Sequence, residues 1–274
     1  MWINKNEIEA LSADIRKIID GQTLDLRNNQ EGVWGILRND IHTLANIKNE
    51  QMNVLERERD NMSDTLANIS HQLKTPLTSM IIMADLLEDA PQDKHAEFLS
   101  NIKIGLARIQ WLASAILKMA KLDAGAVVFS QSHVQSGELI ALALAPLNIM
   151  LEIKNQTVEI IGEAELVCDK RWTAEALTNI VKNASEYSPD GGTISIKTGA
   201  NPICQYISVT DCGAGITNKQ IVNLYKRFKG SRSDNGHGIG LPLALAIMRG
   251  QNGDIEVDGG GNGNGATFTL KMYK

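Results

Sequence analysis

From Ile8 to Met119 the apolar side chains recur three and four positions apart, the spacing of helices that each bury one stripe. Ile8, Leu11, Ile15, Ile18 and Ile19 form the first run, which stops at Gly21. Residues 23–35 are polar, broken by Gly32 and Gly35, and read as a connector. A second run carries Leu37, Ile41, Leu44 and Ile47, then Glu56-Arg57-Glu58-Arg59-Asp60, the solvated face of a coiled coil. Leu55, Met62, Leu66, Ile69, Leu73, Met80, Ala84 and Leu87 carry the stripe on to about Asp89. After the break Ala90-Pro91-Gln92-Asp93, a third run shows Phe98, Ile102, Ile109, Leu112, Ile116 and Met119 on one face, ending near Asp123-Ala124-Gly125. Trp111 fits this helix as a packing residue. Two long helices joined by a short turn make a hairpin whose stripes are too wide for each other, so pairing with a second copy into a four-helix bundle is expected.

Beyond Gly125 the period changes. Short β-type runs lie at 126–129, 157–161, 193–197, 206–210, 254–257 and 266–272, separated by helical patterns at 137–153, 170–187, 217–228 and 239–250. This mixture predicts an α/β sandwich, a mixed sheet covered by helices on one face. Three segments result: helices and a connector over 1–50, the hairpin over 51–125 and the sandwich over 126–274.

His71 stands out within the helical part. It lies two positions from both Ile69 and Leu73, which at about 100° per residue sets it opposite their shared core direction. A neutral imidazole is a competent nucleophile near neutral pH, and this one is placed to be reached. Pro76 removes the backbone bond back to Gln72 and should bend the helix there. His42, His95, His133 and His237 have no such setting.

In the sandwich, Asp211-Cys212-Gly213-Ala214-Gly215 follows directly on a strand. A carboxylate there, with glycines permitting close backbone approach, suits the amino group of a flat base. Gly236-His237-Gly238-Ile239-Gly240-Leu241 opens a helix, whose N-terminal N–H groups favour phosphates. Gly263-Asn264-Gly265-Ala266-Thr267 precedes the last strand. Asn179 and Asn183 share one helix face, where amide oxygens can meet phosphates and a hydrated Mg2+. Singly, each glycine cluster reads more readily as a tight turn; their order together changes the picture.

Composition narrows the rest. The net charge of -5 over 274 residues leaves no basic face for nucleic acid. Cys168, Cys204 and Cys212 have no CxxC spacing and read as small hydrophobes in a reducing compartment. With no apolar run approaching 18 residues and no signal peptide, the chain as given is expected to be soluble.

Taken in order, the motifs resemble the cytoplasmic part of sensor histidine kinases of two-component systems. The phosphoacceptor box is Ser70-His71-Gln72-Leu73-Lys74-Thr75-Pro76-Leu77, and the asparagine box is Asn179-Ile180-Val181-Lys182-Asn183-Ala184. The glycine boxes are Asp211 to Ile216, Gly236 to Leu241 and Gly263 to Phe268, with Tyr225-Lys226-Arg227-Phe228 between. The resemblance covers residues 62–274. It implies a dimerisation and phosphotransfer hairpin followed by an ATP-binding sandwich of the kind shared with gyrase, Hsp90 and MutL. It implies His71, with Gln72 and Thr75 beside it, as the catalytic group that takes phosphate from ATP and passes it to a response-regulator aspartate. Nucleotide contacts would fall on Asn179, Lys182, Asn183, Tyr187, Asp211, Gly213, Gly215, Ile216, Gly236, His237, Gly238, Ile239, Gly240, Leu241 and Thr267, with Mg2+ on Asn183. A homodimer is implied, and membrane contact only through upstream segments.

Two residues depart from the family pattern. Gln72 stands where many members have an acidic general base, and an amide cannot take a proton. Glu186 stands where many have a lysine, so Lys182, Arg227, Lys229 or Arg232 would have to supply positive charge. Thr75 keeps a phosphatase role open. These departures leave a degenerate kinase acting as regulator phosphatase or scaffold as the other reading, while a clamp-type ATPase is disfavoured by the hairpin.

Overall fold

The computed structural model describes residues 5–19, 33–89, 91–221, 224–225, 238–260 and 265–274. The chain divides into two compact units, Met1–Ala67 and Asn68–Lys274. In the first, α1 (Lys5–Ile19) buries Leu11 and Ile18, and Asp14 lies 3.9 Å from Arg38 on α2. Helix α2 (Val33–Asp89) joins the second apolar run and the stripe from Leu55 to Leu87 into one uninterrupted helix that continues through Pro76.

In the second unit the end of α2 is followed by α3 (His95–Asp123) after a short break that includes the 3-10 turn Gln92–Lys94, as the hairpin pattern predicts. Met80 is buried, and a Cβ on Gly105 would strike its Cγ at 2.6 Å, so the two helices meet at glycine-limited distance. Outside the predicted stripes, Leu77, Ile81, Ile104 and Leu117 of this hairpin are exposed.

The α/β part holds β1 (Ser132–Gln135), α4 (Ser136–Leu144), α5 (Asn148–Ile153), β2 (Thr157–Ile161), β3 (Glu165–Cys168) and α6 (Lys170–Tyr187). After these come β4 (Thr193–Ala200), β5 (Cys204–Thr210), α7 (Asn218–Ile221), α8 (Gly240–Gly250), β6 (Gly253–Asp258) and β7 (Thr267–Tyr273). The main sheet runs β2-β4-β5-β7-β6, parallel only between β2 and β4, and is therefore mixed. Alternation along its strands sends Ile194, Ile196, Ile207, Val209, Phe268 and Leu270 inward against α4, α6 and α8. The opposite face is a ladder of hydroxyls and charges: Thr210 meets Thr267 and Ser208 meets Thr269, each at 2.9 Å, and Lys271 meets Glu256 at 2.5 Å. One covered face and one polar face is the predicted architecture. Leu112, Ala115 and Met119 of α3 belong to the same core, so the hairpin and the sandwich share buried surface.

Three expectations change. Residues 126–129 form no strand, because Phe129 packs edge-to-face on Trp172 at 5.9 Å and the Ser130 N–H is tied to Asp169 at 2.9 Å. The strand lies later, at β1, paired with β3, which the sequence pattern had not shown. The helical pattern at 137–153 is α4 and α5 with a 3-10 turn at Ala145–Leu147, where Pro146 interrupts. Taken together, Ser136–Ile153 does reach 18 residues with a mean hydropathy of 1.5, against the expectation of no such run. In the fold it buries Leu139, Ile140, Ala143 and Leu151 under the sandwich. Of the pattern at 217–228, α7 is the described helical part.

Candidate functional site

His71 is exposed on α2, while Leu73 beside it packs against the core, as the helical geometry required. The Thr75 hydroxyl donates to the His71 backbone carbonyl at 3.2 Å, a bond from one turn further along the helix. His71, Lys74, Thr75, Thr78, Ser79, Ile82 and Met83 line an open groove of about 560 Å³. Gln72 lies half-buried in the same turn. The imidazole therefore stands at a surface with room beside it for a phosphoryl donor or acceptor.

The second centre forms where β5, α6, α8 and the loop before β7 converge. Asp211 is buried, and its Oδ1 accepts from the N–H groups of Gly213 at 2.9 Å and Ala266 at 3.0 Å. Among the described residues both bonds fall on this one oxygen, leaving Oδ2 for an incoming donor. Burial pushes the Asp211 carboxyl above its ordinary value, and these two N–H groups pull against that shift. The loop fits only because it lacks side chains. A Cβ on Gly213 would lie 2.5 Å from the Tyr187 carbonyl oxygen, and Gly265 holds φ +71 with its open side against the Asp211 carbonyl.

Asn179 is buried on α6; its Nδ2 donates to the Glu175 carbonyl at 2.9 Å, and its Oδ1 would lie 3.0 Å from a Cβ on Gly240. The asparagine thus abuts the first residue of α8, where N–H groups are free of helical partners. Asn183, half-buried, lies one turn along α6. Gly215 and Ile216 continue the glycine loop after Asp211, where the Ile216 N–H donates to the Gly259 carbonyl at 2.8 Å, and Gly238 lies two residues before α8. Two pairs therefore form along α6: Asp211 with Gly213 beside its C-terminal end at Tyr187, and Asn179 with Gly240 about two turns earlier.

Other predicted contacts are placed differently. Thr267 lies on the outer sheet face, bonded to Thr210, so it does not join Asp211; strand alternation gives that position to the buried Ala266. Ile239 is almost wholly buried and Leu241 partly so, and both pack in the core. Tyr187 contributes its backbone to the glycine loop, while its side chain is 43% exposed. Gly236, His237, Arg227, Lys229, Arg232, Gly263 and Asn264 lie outside the described residues. Ala266 and Ser188, whose Oγ accepts from the Cys212 N–H at 3.3 Å, were not foreseen, because the sequence does not show which backbone groups converge.

Lys182 does not project as expected either. Its ammonium sits 4.8 Å from the centroid of the Trp111 ring on α3 and 3.9 Å from Glu186. About two turns away, Lys118 of α3 meets Glu175 of α6 at 2.8 Å. These two contacts clamp α6 onto the hairpin, and Lys182 belongs to that clamp. A double-mutant cycle of Trp111→Ala with Lys182→Met is expected to give a coupling of about 1 kcal/mol in denaturant unfolding, with ADP affinity changed less than about twofold by Lys182→Met. A large loss of ADP affinity in that variant would return Lys182 to the nucleotide.

Glu186 answers the other departure. Its side chain is 16% exposed, and burial raises its carboxyl above the ordinary 4.5, opposed by Lys182 and Lys154. A folded value above the unfolded one gives stability that is full below the unfolded value and lost as pH rises through the folded value. Glu186→Gln has nothing to titrate. It is expected to gain thermal stability relative to the native chain between about pH 4 and about pH 7, read as the difference in Tm at the two values. A relative loss over that interval would mean the lysines outweigh burial.

Two family models match this chain: the His Kinase A (phospho-acceptor) domain over residues 61–125, and the histidine kinase-, DNA gyrase B- and HSP90-like ATPase over residues 168–274. The heme sensor protein HssS of Staphylococcus saprophyticus is 27% identical over 219 residues, covering 78% of this chain and 47% of that protein. The sensor histidine kinase WalK of Bacillus subtilis is 29% identical, over 60% of this chain and 28% of its own length. The phosphate regulon sensor PhoR of Pseudomonas aeruginosa is 30% identical, over 64% and 41%. The chain thus spans less than half the length of these curated relatives. Among solved structures, the histidine kinase AdeS of Acinetobacter baumannii matches with a TM-score of 0.60 at 19% identity, over 74% of this chain and 97% of that one. The histidine kinase ThkA, solved in complex with the response regulator TrrA, matches with a TM-score of 0.65 at 18% identity, over 83% and 66%. These structures share the fold. With the exposed histidine on a hairpin and the ATPase-type sandwich after it, the chain belongs to the sensor histidine kinases, of which it carries the phosphoacceptor and ATPase portions.

Proposed function

We propose that this chain is the kinase core of a two-component sensor: it binds ATP at the Asp211 centre, phosphorylates His71 and passes the phosphoryl group to an aspartate of a response regulator. The observation that carries the reading is the pairing, in one chain, of an exposed histidine beside an open groove with a buried carboxylate whose second oxygen awaits a donor. Asp211 Oδ2 would accept from the adenine amine. Asn179 and the first N–H groups of α8 would face phosphate oxygens. Asn183 offers a hard amide oxygen that fits Mg2+, which keeps several waters and would offset triphosphate charge when bound.

In the transfer, a neutral imidazole nitrogen of His71 attacks the γ-phosphorus. The N–P bond forms as the bond to the ADP oxygen breaks, and the imidazole N–H proton leaves. Gln72 cannot receive that proton, so the step relies on positioning and charge more than on base assistance. The apolar side chains left exposed along α2 and α3, Leu77, Ile81, Ile104 and Leu117 among them, support a homodimeric four-helix bundle. Thr75, exposed one turn after His71, would orient a water for dephosphorylating the regulator. By the resemblance to sensors, upstream segments would hold the full protein at the cytoplasmic side of a membrane, with residues 1–50 as relay.

A second reading, a regulator phosphatase or scaffold with weak kinase activity, is favoured by Glu186 and by the engagement of Lys182 with Trp111. Incubation with γ-labelled ATP separates the two. Acid-labile, base-stable label on the chain supports the kinase; ATP binding without label supports the scaffold.

A further inference from the structure

We infer that Gln156 is a positioning residue for base recognition: its side chain clamps the C-terminal end of α6 so that the turn beside Asp211 is held in register. This rests on the reading of Asp211 as the adenine contact. The need for such a clamp is written in the sequence. In a continuing helix the Ser185 carbonyl would accept from the N–H four residues on, but that residue is Pro189, which has none. The carbonyls of Ser188 and Pro189, past the helix end, lack helical partners as well.

Gln156 supplies them. It is buried at 8% exposure in the turn between α5 and β2, and its Nε2 donates to Ser185 at 3.0 Å, Ser188 at 3.2 Å and Pro189 at 3.1 Å. Two hydrogens serve three carbonyl oxygens, so one is shared. The Ser185 hydroxyl donates back to Gln156 Oε1 at 2.5 Å, which fixes which end of the amide faces the carbonyls. Lys154 adds a bond to the Ser185 carbonyl at 2.8 Å. Backbone bonds from Gly191 to Lys154 at 2.8 Å and from Thr157 to Gly192 at 3.0 Å complete the link between the two turns.

What the clamp holds is the wall of the base site. The Tyr187 carbonyl limits Gly213 to a glycine, and Ser188 Oγ accepts from Cys212, the residue after Asp211. Gly213 in turn donates to Asp211 Oδ1. The path from Gln156 to Asp211 therefore runs through Ser188, Cys212 and Gly213, every step a hydrogen bond, close backbone contact or peptide link. A shift of this turn moves the carboxylate that reads the base without touching the phosphate end at Asn179 and Gly240.

That separation gives the test. ADP and inosine diphosphate differ at the group that faces Asp211: the first offers an amine, the second a carbonyl. In the unsubstituted chain, titration calorimetry is expected to show tighter binding of ADP. Gln156→Met, of equal length but without donors, is expected to raise the Kd for ADP about tenfold and that for inosine diphosphate less than about twofold. Ser185→Ala, which removes only the hydroxyl that orients the amide, is expected to shift the ratio in the same direction by about threefold. Equal weakening of both nucleotides in both variants, or an unchanged ratio, overturns the clamp. If the unsubstituted chain shows no preference for ADP, the adenine role of Asp211 fails first, and the clamp with it.

Discussion

Replacing His71 by Gln is expected to abolish acid-labile labelling of the chain by γ-labelled ATP, a loss of at least about 10³-fold. The amide keeps a polar side chain of similar reach but has no lone pair basic enough to attack phosphorus. Stability should barely move. His71 is exposed, the Thr75 hydroxyl bonds its backbone carbonyl and not its ring, and surface changes of this kind fall within about 0.5 kcal/mol. Nucleotide affinity should be unchanged as well, because the base-reading carboxylate lies on a loop of the sandwich. Phosphate incorporation on gels, run beside ADP titration and a thermal melt, reads all three at once. Label that survives the substitution would transfer the acceptor role to another side chain and undo the reading of the hairpin.

The sequence carried the large features well, and the physical reason is periodicity. The stripes of α2 and α3, α6 from residue 170 to 187 and α8 from 240 to 250 were legible because each repeats apolar residues at helical spacing over a long element. Asp211, Asn179 and Gly240 were legible for another reason: a strand end, a helix face and a helix start each leave a residue-type signature. Short elements whose partners are distant in sequence were not. β3 has four residues and owes its existence to pairing with β1 some thirty positions earlier, as the register Ser132 to Cys168 shows. Residues 126–129 look like a strand, yet Phe129 is recruited by Trp172, a contact that no local pattern contains.

Side-chain destinations were the hardest part. Lys182 shares α6 with Asn179 and Asn183, and charge alone suggested the triphosphate. Its long side chain reaches elsewhere, setting its ammonium 4.8 Å from the centroid of the Trp111 ring of the hairpin. Thr267 sits next to the residue that matters, and a shift of one position along a strand changes the face. Both cases turn on orientation within an element that had itself been placed correctly.

The Asp211 carboxylate offers the sharpest test of the nucleotide site. Asp211→Asn is expected to weaken ATP about 100-fold while leaving the fold intact. The amide oxygen can take over the bonds from Gly213 and Ala266, which both fall on Oδ1 in the native chain. The other oxygen becomes an NH2 group, and a donor then faces the donor of adenine. With GTP or inosine triphosphate the same NH2 meets a carbonyl, so the variant should lose its preference for adenine and tilt toward oxopurines. Stability argues in the same direction. Burial holds the native carboxyl above its ordinary 3.8, so the ionised form is disfavoured in the fold, and this contribution is lost as pH rises through the folded value. Removing the charge should therefore leave the Tm at about pH 7 no lower than in the native chain. ATP and inosine triphosphate titrations on the same preparation give the ratio directly. Equal affinity of native and variant chains for ATP would place the base elsewhere, whereas a collapsed Tm would mean that Asp211 serves the loop before it serves the ligand.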